Sequence, residues 1–165
     1  VGYDSKAGHL LWLNLLLLNK EVFMSEPIHD SPTEWVAKHI EDYVRTGGAE
    51  GHIRMGVTNL LLTTRGRVTG KLHRTALIYG KDGDKYIIVA SMGGSPKNPQ
   101  WYLNLLANPE VELQVADEVF AARARTATPE EKPRLWEMMA KMFPNYNEYQ
   151  AKTERDIPVV ILERI

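Results

Sequence analysis

Hydrophobic residues fall along this chain in short blocks whose period changes from one block to the next, and those changes outline its elements. Ser31-Pro32-Thr33-Glu34 is a capping-box pattern with proline at the first helical position, which predicts a helix to about residue 45, where Gly47 and Gly48 stop it. Val36, Ile40, Tyr43 and Val44 fall on one face of that helix at helical spacing and form its packing stripe. The unbroken run Leu60-Leu61-Leu62 reads as a buried strand. A second apolar run covers 76–79, Asp82-Gly83 marks a tight hairpin turn, and the return strand covers 86–91. Residues 101–106 read as a short helix that begins near Asn98-Pro99 and ends at Asn108-Pro109. Val111, Leu113 and Val115 alternate with Glu112 and Gln114, as in a strand with one wet face. After a turn at Asp117-Glu118, residues 119–126 alternate weakly, with Arg123 and Arg125 on one face. Thr128-Pro129-Glu130-Glu131 repeats the capping box and starts a helix that buries Leu135, Met138, Met139 and Met142 before Pro144 breaks it. Tyr146 and Tyr149 stand three apart on a short following helix and share a face. A last strand covers 158–162.

That makes about six strands and three or four helices, mostly joined by hairpins and without βαβ alternation. The pattern favours an antiparallel β-sheet or small barrel with flanking helices outside it. No GxGxxG follows a strand and no GxxxxGK[ST] is present, so neither a Rossmann domain nor a P-loop is supported. A length of 165 residues suggests one domain, expected over 25–165, with residues 1–24 as an extension. Its leucine-rich run, LLWLNLLLLN, is shorter than the roughly 20 residues a spanning helix needs and has no small-residue cleavage site after it. Met24-Ser25-Glu26-Pro27 resembles a natural start. Two readings of 1–24 stay open: an upstream run without a role, or an apolar helix that touches a membrane or packs on the fold.

Composition narrows the chemistry. The net charge of -1 argues against a nucleic-acid binder, although cations are concentrated locally. With no cysteine there is no disulfide, thiolate nucleophile or iron–sulfur ligation. The five histidines show no ligand spacing, so no metal site is expected. Redox chemistry would need a bound organic cofactor.

The cations gather in the loop between the first two strong strands: Arg65, Arg67, Lys71, His73 and Arg74, with glycines at 66 and 70. Arginine forks and a backbone that allows close approach suit phosphate. An exposed hairpin with solvated charges is the competing reading. Ser91-Met92-Gly93-Gly94-Ser95 follows a strand and offers amides to a planar heterocycle or its phosphate, or is simply a flexible connection. Trp101 and Tyr102 could wall a flat ring or belong to the core, and Tyr146 and Tyr149 suit the mouth of an aromatic site or a half-buried pair.

Together, TTRGRVTGKLHRTALIY, ASMGGSPKNPQWYLNLLANPEVELQV and FPNYNEYQAKTERDIPVVILE, in that order, resemble the deazaflavin-dependent nitroreductase and quinone reductase family over roughly 31–165. The resemblance implies a split β-barrel like those that bind FMN. It implies an oxidoreductase that uses reduced coenzyme F420 and passes a hydride to a quinone-like or nitroaromatic acceptor. Carried over residue by residue, Arg67, Val68, Thr69, Gly70, His73, Arg74, Thr75, Ala76, Leu77 and Ile78 would hold the cofactor, the cations taking its phosphate and acidic tail. Val89, Ala90, Ser91, Met92, Gln100, Trp101, Tyr102 and Asn104 would lie against its ring, with Tyr146 beside it. Ser91, Tyr146 and Tyr149 would serve the reaction. Three positions depart from the family's habit: Val68 for a lysine, His73 for an arginine and Phe143 for a tyrosine. The alternatives are an FMN-dependent reductase or oxidase on the same fold and a non-catalytic cofactor-binding protein. A cytoplasmic protein is expected, with peripheral contact to the inner membrane face through residues 1–24 as an open option and a homodimer by analogy with other small barrels.

Overall fold

The computed structural model describes residues 26–165, so the extension expected over 1–24 lies outside the described residues. Among those described, nine strands form one sheet: β1 (Ile28–Asp30), β2 (Ile53–Arg54), β3 (Val57–Arg65), β4 (Leu72–Ile78), β5 (Gly80–Asp82), β6 (Lys85–Val89), β7 (Glu110–Val115), β8 (Glu118–Thr126) and β9 (Val159–Arg164). Four helices accompany them: α1 (Glu34–Arg45), α2 (Gln100–Ala107), α3 (Lys132–Met142) and α4 (Asn145–Ala151). The three strands beyond the expected six are β1, β2 and β5, each two or three residues long and too short to show a period.

Strand order is β1-β4-β3-β7-β8-β9-β6-β5, with β2 added on β3. Every pairing is antiparallel except β1 on β4. The path does not close. β4 continues through Tyr79 into β5, so one stretch of chain pairs with β3 near one end of the path and with β6 at the other. This is the split barrel expected from the sequence.

Side-chain parity divides the core. Leu60, Leu62, Tyr86, Ile88, Val111, Leu113, Phe120, Val160 and Leu162 point into the barrel. Leu61, between two inward leucines, packs outward on Val36, Ile40 and Tyr43 of α1. Ile87, Val89, Val159 and Ile161 pack outward on Leu135 and Met139 of α3 and Tyr146 of α4. Burial on both faces explains why these strands are unbroken apolar runs, each buried side chain contributing about 1.5–3 kcal/mol.

Two helix starts test the capping boxes. At 128–131 the box forms: the Thr128 N–H donates to Glu131 Oε1 (3.0 Å) and the Glu131 N–H to Thr128 Oγ1 (3.3 Å). At 31–34 it does not. α1 begins at Glu34, its N-cap Thr33 makes no side-chain cap bond, and Ser31 Oγ only receives the Thr33 N–H at 3.3 Å. The sheet has claimed this segment instead, since the Ser31 N–H donates to the Arg74 carbonyl at 3.0 Å, next to β1. Val44, expected in the α1 stripe, is exposed, and His39 takes the buried position, its Nε2 2.8 Å from the Gly51 carbonyl.

Candidate functional site

β4 is paired with β3 along one edge, but on its other edge β1 covers only Leu72, His73 and Arg74. From Thr75 to Ile78 that edge has no strand partner among the described residues and lies open along a groove. Two adjoining cavities make up the groove, of about 390 and 510 Å³, and they share Ser31, Thr75, Gln100 and Trp101.

The smaller cavity is the cationic end. Its loop is closed by the Gly66 N–H on the Lys71 carbonyl (2.7 Å) and the Gly70 N–H on the Gly66 carbonyl (2.9 Å), with Gly70 at φ +70°. That positive φ favours glycine. The charges in this loop have different partners. Arg65 pairs with Glu26 at 3.0 Å and donates to the Gly70 carbonyl at 2.8 Å. Arg74 forks onto Asp30 at 2.6 and 3.1 Å. Arg67 instead donates its backbone N–H (3.2 Å) and Nη1 (3.0 Å) to Oδ1 of buried Asn104, a neutral amide presented by α2. Arg67 therefore faces the cavity with its charge uncompensated by any carboxylate among the described residues. Val68, Thr69, His73, Arg74 and Thr75 line the same end, and the His73 ring lies 5.8 Å from that of His29.

The larger cavity is apolar and aromatic. Thr75, Ala76, Leu77 and Ile78 form one side; Val89, Ser91, Met92 and Gly93 form another; Gln100 and Trp101 come from α2. Phe143, Tyr146 and Tyr149 close it, with the Phe143–Tyr146 and Tyr146–Tyr149 ring pairs edge-on at 5.1 and 6.4 Å. Tyr146 is only 4% exposed, and its hydroxyl has no hydrogen-bond partner among the described residues. Burial, with a smaller contribution from Tyr149, raises its pKa well above that of an ordinary phenol. It is thus a neutral donor waiting for an acceptor.

Most residues singled out from the sequence meet on this groove, but three do not line it. Gly70 shapes the loop tip without touching either cavity. Ala90 and Tyr102 belong to the barrel interior, where the Tyr102 hydroxyl meets Thr126 Oγ1 at 2.9 Å. Asn104, besides lining the cationic end, anchors Arg67. Sequence reasoning missed Trp35, Arg54 and Met55, which line the aromatic end, with Trp35 62% and Met55 89% exposed. Trp35 lies on the wet side of the α1 pattern, and Arg54 and Met55 come from a region with no apolar period. Arg54 stacks on Trp35, its guanidinium carbon 5.2 Å from the ring centre, and is the only charged residue lining the aromatic end among the described residues.

Such a groove suits an elongated ligand with an anionic handle and a flat ring, followed by a second planar guest beside Tyr146. Comparison with known proteins is consistent with that. A family model described as F420H(2)-dependent quinone reductase matches residues 35–164. An F420H(2)-dependent quinone reductase of Mycobacterium tuberculosis (strain ATCC 25618 / H37Rv) is 39% identical, over 80% of this chain and 97% of the relative. A solved structure described as a domain-swapped dimer is 39% identical with TM-score 0.63, covering 81% of this chain and all (100%) of that one. A second, an F420-H2 dependent reductase (FDR-A), is 42% identical with TM-score 0.60, covering 64% of this chain and 93% of that one.

Proposed function

The chain belongs to the F420H(2)-dependent quinone reductase family, and from that footing we propose that it is an oxidoreductase that uses reduced coenzyme F420 to reduce a quinone. The residues present fit the cofactor on three counts. Arg67 offers a guanidinium held by a neutral amide, the β4 edge offers unpaired backbone beside a flat slot, and Trp101 walls both cavities. When bound, the deazaflavin supplies a two-electron hydride donor. The chain's own residues do the rest. Arg67, with Thr69 and His73 beside it, takes the phosphate and acidic tail; a charge-assisted bond of this kind is about twice as strong as a neutral one. Thr75, Ala76, Leu77 and Ile78 along the edge, with Val89, Met92, Gln100 and Trp101, confine the ring. Ser91 and the partnerless Tyr146 hydroxyl orient the acceptor's oxygen, and Tyr149 and Phe143 keep water off that end.

The observation that carries this reading is the continuity of one groove: among the described residues, an arginine uncompensated by any carboxylate stands at one end, and a tyrosine whose hydroxyl is open to the cavity and has no protein partner stands at the other. Titration with coenzyme F420, FMN and NADPH, followed by tryptophan fluorescence, tests it. Saturable quenching by F420 is expected, and saturable FMN binding with no response to F420 would overturn the cofactor assignment. Repeated oxidation of reduced F420 by a menadione-type quinone is expected, whereas binding without turnover would mark a carrier.

The proposal extends to a homodimer, supported by the 39% identical structure described as a domain-swapped dimer, with sedimentation velocity as its check. No helix of the described residues is long and apolar enough to cross a membrane. A cytoplasmic site of action with peripheral membrane contact through residues 1–24 is tested by liposome co-sedimentation with and without them.

A further inference from the structure

Arg155 lies within the last of the three motif strings, but its sequence surroundings give it no role. It stands between Glu154 and Asp156, as a residue of a solvated charged run would. In the fold its guanidinium turns away from both neighbours. Nε donates to the Ser95 carbonyl (2.8 Å), and Nη1 to Asn98 Oδ1 (2.8 Å) and the Ala90 carbonyl (3.2 Å). Nη2 donates to the carbonyls of Ala90 (3.2 Å) and Ser91 (2.8 Å). No carboxylate pairs with it among the described residues, and burial lowers its pKa. Arg155 is half-buried, and its guanidinium spends its donors on main-chain carbonyls and one amide oxygen rather than on a counter-ion. Its five bonds all converge on the turn that walls the aromatic end.

Those bonds fix where the turn's amides point. All peptides here are trans, so a carbonyl aimed at Arg155 sends the N–H of the same peptide the opposite way. Ala90 and Ser91 aim their carbonyls at Arg155, which turns the Ser91 and Met92 amides away from it. The backbone is right-handed at Ser91 (φ -79°, ψ -39°) and then turns to positive φ at Met92 (+45°) and Gly93 (+64°). That sequence of conformations makes successive amides converge into a concavity that accepts negative charge. The amides of Ser91, Met92 and Gly93 have no acceptor among the described residues. Their neighbours do: Ala90 N–H reaches the Pro158 carbonyl (2.9 Å), Gly94 N–H that of Ser91 (2.9 Å) and Ser95 N–H that of Met92 (3.1 Å). All three free-amide residues line the cavity that Tyr146 also lines with its partnerless hydroxyl. The turn is held against α4, since a Cβ at Gly94 would lie 2.6 Å from the Tyr149 carbonyl oxygen.

We propose that Arg155 is a positioning residue that shapes residues 91–93 into a pocket for the oxygen of the acceptor that becomes negative during reduction. The inference rests on the quinone reductase reading. A quinone that accepts a hydride gains two electrons and one hydrogen. One oxygen is left anionic, and a proton drawn from water completes the hydroquinone. Three convergent amides and a neutral phenol meet that charge by hydrogen bonding, on a cavity that Arg54 also lines.

The test uses 2-hydroxy-1,4-naphthoquinone, a quinone with an ionisable oxygen, titrated by visible absorbance free and bound to the full chain. Its apparent pKa is expected to fall by about one unit on binding, a tenfold preference for the anion. Arg155→Lys keeps the charge but cannot hold five acceptors. It is expected to abolish most of that fall and to lower kcat for quinone reduction at least tenfold, while the F420 dissociation constant stays within about threefold. No pKa fall in the wild-type protein, or an intact fall in a folded Arg155→Lys, overturns the proposal. Should Arg155→Lys not fold, the wild-type titration still decides, and Asn98→Ala, which removes one of Arg155's acceptors, is expected to shrink the fall. Failure of F420 to bind sinks the functional reading, whereas F420 binding with quinone turnover but no pKa fall sinks this inference alone.

Discussion

Arg67 and Arg74 lie seven positions apart and carry the same charge, but their partners give them different work. Arg74 is forked onto Asp30 and ties β4 to β1, whereas Arg67 is held by an amide that leaves its charge for a ligand. A hydrogen bond to a charged group is worth about 1.5–3 kcal/mol, or roughly ten- to a hundredfold in affinity. Arg67→Ala is therefore expected to weaken F420 binding by about that factor and to flatten its dependence on salt, measured by fluorescence titration at low and high ionic strength. An Arg67→Ala affinity unchanged from wild type at both salts would remove Arg67 from the site. At the other end, Tyr146 is the residue whose protonation matters. Burial disfavours the phenolate, so its pKa is raised and the neutral donor persists beyond the range of an ordinary phenol. The pH profile of kcat for quinone reduction should show no descending limb from tyrosine ionisation up to about pH 10, the ordinary phenol value. A limb below that value, lost in Tyr146→Phe, would contradict the burial argument.

At the level of elements, the sequence was most legible where one pattern had no competitor. The box before α3 forms as written because Thr128 and Glu131 satisfy each other and Arg125 of β8 forks onto Glu131 at 2.7 and 3.0 Å. The same motif before α1 fails because β4 has an open edge, and a sheet bond from Ser31 competes successfully with a helix cap. Edge pairing is set by a strand more than forty positions away in sequence, which local spacing cannot report. Arg155 was illegible for a related reason: its acceptors are main-chain carbonyls, which any residue type supplies. The α3 cap carries a pH prediction. The Arg125 bond, followed by those to Thr128, lowers the Glu131 pKa from 4.5 to about 2. A carboxyl depressed on folding stabilises the fold fully above its unfolded value and loses that contribution as pH falls through the folded one. The melting temperature of Glu131→Gln should thus lie below wild type at pH 7, with the gap closing between about pH 4.5 and 2. A gap that stayed constant across that window would show that the cap does not depend on the charge.

Across the whole molecule, the groove is assembled from the β3–β4 loop, the β4 edge, the turn after β6, α2 and α4, with the α1 start and the β2 region added at its mouth. The first five lie within the motif strings visible in the sequence, so the site was readable as an ordered set. The last two were not, because Trp35, Arg54 and Met55 gain their meaning only when the split in the barrel brings them to the cavity. This assembly separates charge along the groove, and that separation can be measured. Arg67, His73 and Arg74, the last paired with Asp30, lie at one end, while among the described residues Arg54 alone is charged at the other. Salt shortens the screening length from about 10 Å at 0.1 M to about 3 Å at 1 M. An anionic tail gripped by partly exposed cations should feel that change, while a neutral quinone seated among aromatic rings should not. Raising salt from 0.1 to 1 M is expected to weaken F420 binding at least fivefold and to alter KM for a neutral quinone by less than twofold, with F420 kept saturating. If both constants moved together, the two guests would not be using opposite ends of one groove.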